Sequence, residues 1–217
     1  NGAFQDGKFL PFDGGDYILK KTDSDVQGKF NRTIQRPETA VCDQNGYAPS
    51  LCPSGDERGI YALNLLLDRG DSRFFRPGAH LAVVILSDED ERSNPGAQGA
   101  GYALQNYDLP ATFVSKVAAR LRSTKTMSVH SVIIAPGDSG CYNQNNLGNG
   151  IFGSYGYQYA ALSQPSASLK ALGSIVDGVV GSICAADYGA QLGNIGSKIV
   201  SNVKDIQLAC APISGSV

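Results

Sequence analysis

An uninterrupted apolar run, Leu81-Ala-Val-Val-Ile-Leu86, and a mostly apolar one, Val129–Ala135, broken by His130 and Ser131, stand out along this chain. A strand with one wet face alternates polar and apolar positions, and neither run does. Both therefore read as interior strands of a parallel sheet with covered faces. Between them, Phe113, Val114, Val117, Ala118 and Leu121 follow Pro110 at helical spacing, which predicts an amphipathic helix. An earlier helix is expected to open at Ser54-Gly55-Asp56-Glu57. Ser54 and Glu57 have capping-box spacing there, Ile60, Leu63, Leu66 and Leu67 form the apolar stripe, and Gly70 is the stop. Tyr188, Leu192, Ile195 and Ile199 predict a helix over residues 186–203. Gly189, Gly193 and Gly196 weaken it by about 1 kcal/mol each relative to Ala.

Fainter patterns fill the remainder. Asp16–Lys20 reads as a short strand. Asp23–Gln35 reads as a helix capped by Asp23 or Ser24, with Val26, Phe30 and Ile34 on one face. A long Asn- and Gly-rich loop is expected around Cys141, a helix over Ser166–Leu172, a short strand over Val179–Ile183 and a last strand over Ile206–Cys210. Strands alternating with helices predict an α/β fold with a doubly wound, mainly parallel sheet flanked by helices. Residues 1–217 are read as one domain, with 204–217 as the start of a following segment. In such sheets ligands meet the carboxyl ends of the strands.

Composition narrows the function. With 42% hydrophobic and 18% charged residues in 217, the chain can bury a core. A net charge of −2 favours neither nucleic acid nor anionic membrane. No apolar run approaches the roughly 20 residues of a membrane-spanning helix. Five cysteines, none in CxxC spacing, read as structural and place the chain in an oxidising compartment. Cys42 and Cys52 flank a loop that a disulfide can close. Cys141, Cys184 and Cys210 cannot all pair within the chain, so one is free or bonds outside it.

The acidic run Asp88-Glu89-Asp90-Glu91 follows the clearest strand directly. Asp88 is thereby expected at the carboxyl rim, where its hard oxygens suit Mg²⁺ or Ca²⁺. A solvated turn in which Asp88 caps backbone N–H groups is the plainer reading of the same residues. His130 is expected to be a core or edge histidine, because no nucleophile elbow accompanies it. Tyr155, Tyr157 and Tyr159 alternate and read either as a recognition surface, including a carbohydrate platform, or as packing against the sheet.

Glu57–Leu63, Phe74-Phe-Arg-Pro77, His80–Ser93, Val129–Ile134 and Ser182–Tyr188 together resemble the von Willebrand factor A domains of exported bacterial lipoproteins. The resemblance implies a Rossmann-like fold and a metal-ion-dependent adhesion site built from three loops. Asp88 matches the aspartate of the third loop, with Asp90 close by, and Ser54 or Asp56 is nearest to the hydroxyl position of the second. The Asp-x-Ser-x-Ser motif and first strand of that family are absent, which implies a fold incomplete at its N-terminus and an open position in the sheet. The resemblance also implies that Cys141 and Cys184 approach each other, leaving Cys210 for something outside the chain; pairing of Cys184 with Cys210 is the alternative.

The expectation is thus a non-enzymatic adhesion or protein-recognition module, exported to the bacterial periplasm, outer membrane surface or extracellular space. It would bind a protein or surface glycan with the help of Mg²⁺ or Ca²⁺; either the missing strand lies upstream of this sequence, or another chain supplies it, or the metal site is degenerate. A structural scaffold with a degenerate metal site and a metal-assisted hydrolase acting through Asp88, Asp90 and Glu91 are the alternatives.

Overall fold

The computed structural model describes residues 7–35, 41, 44, 57–70, 75, 79–92, 104–121, 126–146 and 153–204. In chain order these form α1 (Val26–Ile34), α2 (Gly59–Arg69), β1 (Leu81–Leu86), α3 (Pro110–Leu121), β2 (Met127–Ile133), α4 (Ser139–Asn146), α5 (Tyr157–Ser163), α6 (Ala167–Leu172), β3 (Ile175–Val176), β4 (Val180–Ser182) and α7 (Tyr188–Lys204). The architecture is mixed α/β with an open parallel sheet flanked by helices, compatible with a Rossmann-like fold. The chain divides into two compact units, Asn1–Asp71 with Glu91–Lys116, and Ser72–Asp90 with Val117–Val217.

The second unit holds the sheet. β2 lies at its centre, buried along its whole length. It pairs with β1 on one side and with β3 and β4 on the other, always in parallel. Ser131 and Ile133 face α5, where the Ser131 and Ser163 hydroxyls bond at 2.8 Å. The opposite face meets α7 through Gln191, which accepts from Ser182 N and donates to Ser182 O. Between β3 and β4 the ladder is interrupted at residues 177–179. Gly178 there lies so close to the Val129 carbonyl that no side chain fits.

β1 departs from the expectation of an interior strand. Within the sheet of described residues it is an edge, paired with β2 alone. Val84 is 52% and Leu86 67% exposed. A continuous apolar run shows that a strand can be covered, but the neighbour that covers it is a tertiary matter the run does not encode. Leu81 N and Ser87 N donate toward β2. The ladder therefore turns the backbone groups of Ala82, Val84 and Leu86 away from it.

Other expectations also shift. Residues 16–20 form an irregular segment that bends at Tyr17 and Ile18, both exposed, rather than a strand. α1 begins at Val26 behind Asp25, whose side chain accepts from Gly28 N, instead of behind Asp23 or Ser24. Its stripe is uncovered by described residues, with Phe30 and Ile34 exposed. The expected loop around Cys141 is the helix α4. The strand read over Ile206–Cys210 lies outside the described residues.

In the first unit, α2 buries Ile60, Asn64 and Leu67 and ends at Gly70 in the left-handed conformation, as its sequence predicts. It starts at Gly59, with Glu57 and Arg58 ahead of the helix, and Ser54 lies outside the described residues. Beside it the guanidinium of Arg58 makes two hydrogen bonds of 2.9 Å to the fully buried Asp108 and lies 3.8 Å over the Tyr61 ring. Burial works against the Arg58 charge, but Asp108 outweighs it and holds the group above its ordinary pKa.

Candidate functional site

The chain turns sharply where β1 ends. The buried Ser87 hydroxyl donates to Glu89 O at 2.8 Å and accepts from Glu89 N, a local turn that sets the direction of the next four residues. Asp88 emerges at the carboxyl rim of the sheet, half-buried. Its carbonyl accepts from Ser154 N at 3.0 Å, while its carboxylate has no hydrogen bond or ion pair among the described residues. Gly153 makes this approach feasible: a Cβ there would lie 2.7 Å from Ile134 Cδ1 and 3.2 Å from Asp88 O.

Asp90 and Glu91 of the acidic run each cap a helix. Asp90 N donates to Ser154 Oγ at 2.8 Å, and Asp90 Oδ1 accepts from Gln158 N at 2.9 Å in the first turn of α5. In the first unit, the buried Glu91 accepts from Ile60 N at 2.8 Å and Tyr61 N at 2.9 Å, at the start of α2. A carboxylate at a helix N-terminus satisfies orphan donors and complements the helix dipole. The capping foreseen for Asp88 is thus performed by Asp90 and Glu91.

The neighbouring strand ends complete the rim. Asp138, just past β2, accepts from Cys141 N at 3.0 Å as the cap of α4, and its other oxygen accepts from the Ser182 hydroxyl at the end of β4. Cys141 and Cys184 are joined by a disulfide with Cα atoms 5.5 Å apart. This is the pairing implied by the family resemblance. Cys42, Cys52 and Cys210 lie outside the described residues.

Above the rim, Tyr142 of α4 stacks on Tyr155 with ring centroids 4.8 Å apart, and Tyr157 meets Tyr155 edge-on at 5.9 Å. Tyr157 is 56% exposed, whereas Tyr159 is buried in the core. The sequence pattern grouped Tyr155, Tyr157 and Tyr159. The structure separates Tyr159 and adds Tyr142, which the misread loop had hidden. Asp138 immediately before Ser139 was the overlooked signal for that helix, a standard N-cap residue.

A hard divalent cation takes six or more oxygens, several of them from carboxylates. Among the described residues the rim offers one uncommitted carboxylate, Asp88. Asp90 is engaged by α5, and no group of three metal-ligating side chains converges. Ser54 and Asp56 lie outside the described residues. The described residues by themselves do not fit the adhesion-site cation. Of the other carboxylates named for a hydrolase, Asp90 accepts from the first turn of α5 and Glu91 from that of α2.

At the opposite, amino end of the strands runs a chain of hydrogen bonds. Val179 N donates to His130 Nδ1, which fixes the proton of the neutral ring on Nε2. Nε2 donates to Ser128 Oγ at 2.9 Å, Ser128 donates to His80 Nε2 at 2.8 Å, and His80 Nδ1 donates to Thr126 Oγ1 at 2.8 Å. Burial holds His80 below its ordinary pKa. Burial, then His80 and Lys198, does the same for His130. Ser128 and His130 are fully buried and His80 half-buried, and the arrangement ties neighbouring strands together.

Comparison with protein-family models, with curated proteins and with solved structures returns no match for the chain. No helix among the described residues is long and apolar enough to cross a membrane.

Proposed function

We propose that this chain is a non-enzymatic recognition module of an exported envelope or surface protein, of the von Willebrand factor A type, and that the carboxyl rim of its parallel sheet is the binding face. One observation carries the reading. The uncommitted carboxylate of Asp88 and the Tyr142–Tyr155–Tyr157 cluster share that rim, held there by Ser154 and Asn146. Such a rim, with rigid aromatic anchors beside a few polar groups, suits recognition of a protein or a surface glycan. The Cys141–Cys184 disulfide supports an oxidising, exported setting.

The engagement of Asp90 and Glu91 as helix caps favours a second reading, a scaffold domain whose cation site is degenerate. Adsorption of the labelled chain to bacterial envelope fragments separates the two. Asp88→Lys is expected to weaken adsorption about tenfold, a loss of ~1.4 kcal/mol, with the thermal midpoint unchanged. Adsorption indifferent to the substitution would favour the scaffold.

A further inference from the structure

We infer that the tyrosine cluster at this rim is a platform for a neutral sugar, with the exposed Tyr157 ring receiving the flat face of a β-linked, gluco-configured pyranose. This rests on the recognition reading and names its ligand class.

The platform is built before any ligand arrives. Tyr142 and Tyr155 lie 20° from parallel, and Tyr157 stands at 63° to Tyr155, so each ring restrains the next. The backbone beneath is fixed at three points: Ser154 N on Asp88 O, Gly156 N on Ile134 O, and Gln158 N on Asp90 Oδ1. Little rotamer freedom remains to be lost on binding.

The chemistry at the margin selects the ligand. A pyranose with equatorial hydroxyls presents axial C–H bonds on one face and hydroxyls around its edge. It needs a flat apolar ring bordered by donors and acceptors. Tyr157 supplies the ring. The Tyr142, Tyr155 and Tyr157 hydroxyls make no hydrogen bond among the described residues, and neither does the Asp88 carboxylate. Asn143 and Gln144 are exposed nearby on α4.

The same surroundings disfavour other ligands. Nucleobases also stack on tyrosine, but their binding grooves carry cations for the backbone, and no Lys or Arg occurs from Thr126 to Leu169. A protein anchor site needs a continuous apolar surface around its aromatic. Among the described residues between 138 and 163, Tyr157 is the one large hydrophobic side chain that is exposed.

The chain contains no Trp and ten tyrosines, so emission is from tyrosine alone and the Tyr157 variants identify the part that comes from the cluster. Wild-type protein titrated with cellotetraose or chitotetraose is expected to show a saturable emission change and saturation transfer to sugar ring protons. Tyr157→Ala should weaken binding about tenfold or more, while Tyr157→Phe, which keeps the ring, should stay within about threefold. Both variants should melt with the wild type. Absence of saturation transfer to both oligosaccharides, or an equal response in Tyr157→Ala, would overturn the assignment. Asp88-dependent envelope adsorption that neither oligosaccharide competes would also overturn it while leaving the recognition reading intact. Absence of adsorption would remove that reading itself.

Discussion

With both oxygens accepting from the first turn of α2, Glu91 does for that helix what an N-cap side chain usually does, from 31 positions beyond Ile60. Its removal leaves two donors without acceptors in a buried place. Glu91→Ala is expected to cost about 2–3 kcal/mol and Glu91→Gln about 1 kcal/mol, measured as shifts of the urea midpoint. The histidine chain gives a pH dependence. The native state binds protons at His80 and His130 less readily than the unfolded chain, whose histidines titrate at about 6.5. Stability is therefore complete above about pH 6.5 and falls as pH drops toward the native values. His130→Leu should flatten that fall whatever it does to absolute stability, and an unchanged slope in urea titrations would contradict the burial-lowered titration of His130. Asp88 was legible as a rim residue because it follows an apolar strand directly. The separate tasks of Asp90 and Glu91 were not, because the helices they cap lie far away in sequence.

At the scale of elements, β1, β2, α3 and the C-terminal end of α2 were legible, since each has an apolar run, a helical stripe or a stop glycine of its own. α4 was not. Ser-Gly-Cys-Tyr-Asn-Gln-Asn-Asn has no apolar stripe, and the helix is held instead by the Asp138 cap and the disulfide. The bond closes a 43-residue separation, so its reduction is expected to cost about 4 kcal/mol, read as a lowered melting temperature in dithiothreitol. The break between β3 and β4 was equally hidden, because it depends on how near Gly178 comes to Val129. Gly178→Ala should push the strands apart and cost about 3 kcal/mol; a near-neutral effect on the urea midpoint would mean that the close approach is dispensable.

For the molecule as a whole, two surfaces of the sheet-bearing unit compete for a role. One is the tyrosine rim; the other is the open side of β1, with Val84 and Leu86 exposed and backbone groups unpaired within the sheet. An apolar edge of this kind promotes strand pairing between chains. Val84→Lys should therefore reduce self-association in light scattering without weakening ligand binding. That this strand would lie at an edge was not legible, because the sequence shows the apolar run and not its neighbours. Hydrogen–deuterium exchange of the chain with and without bound envelope fragments tests the central claim most directly. The rim reading predicts protection concentrated in residues 138–146 and 153–158. Protection confined to residues 81–86 or to α7, with the rim unchanged, would contradict it.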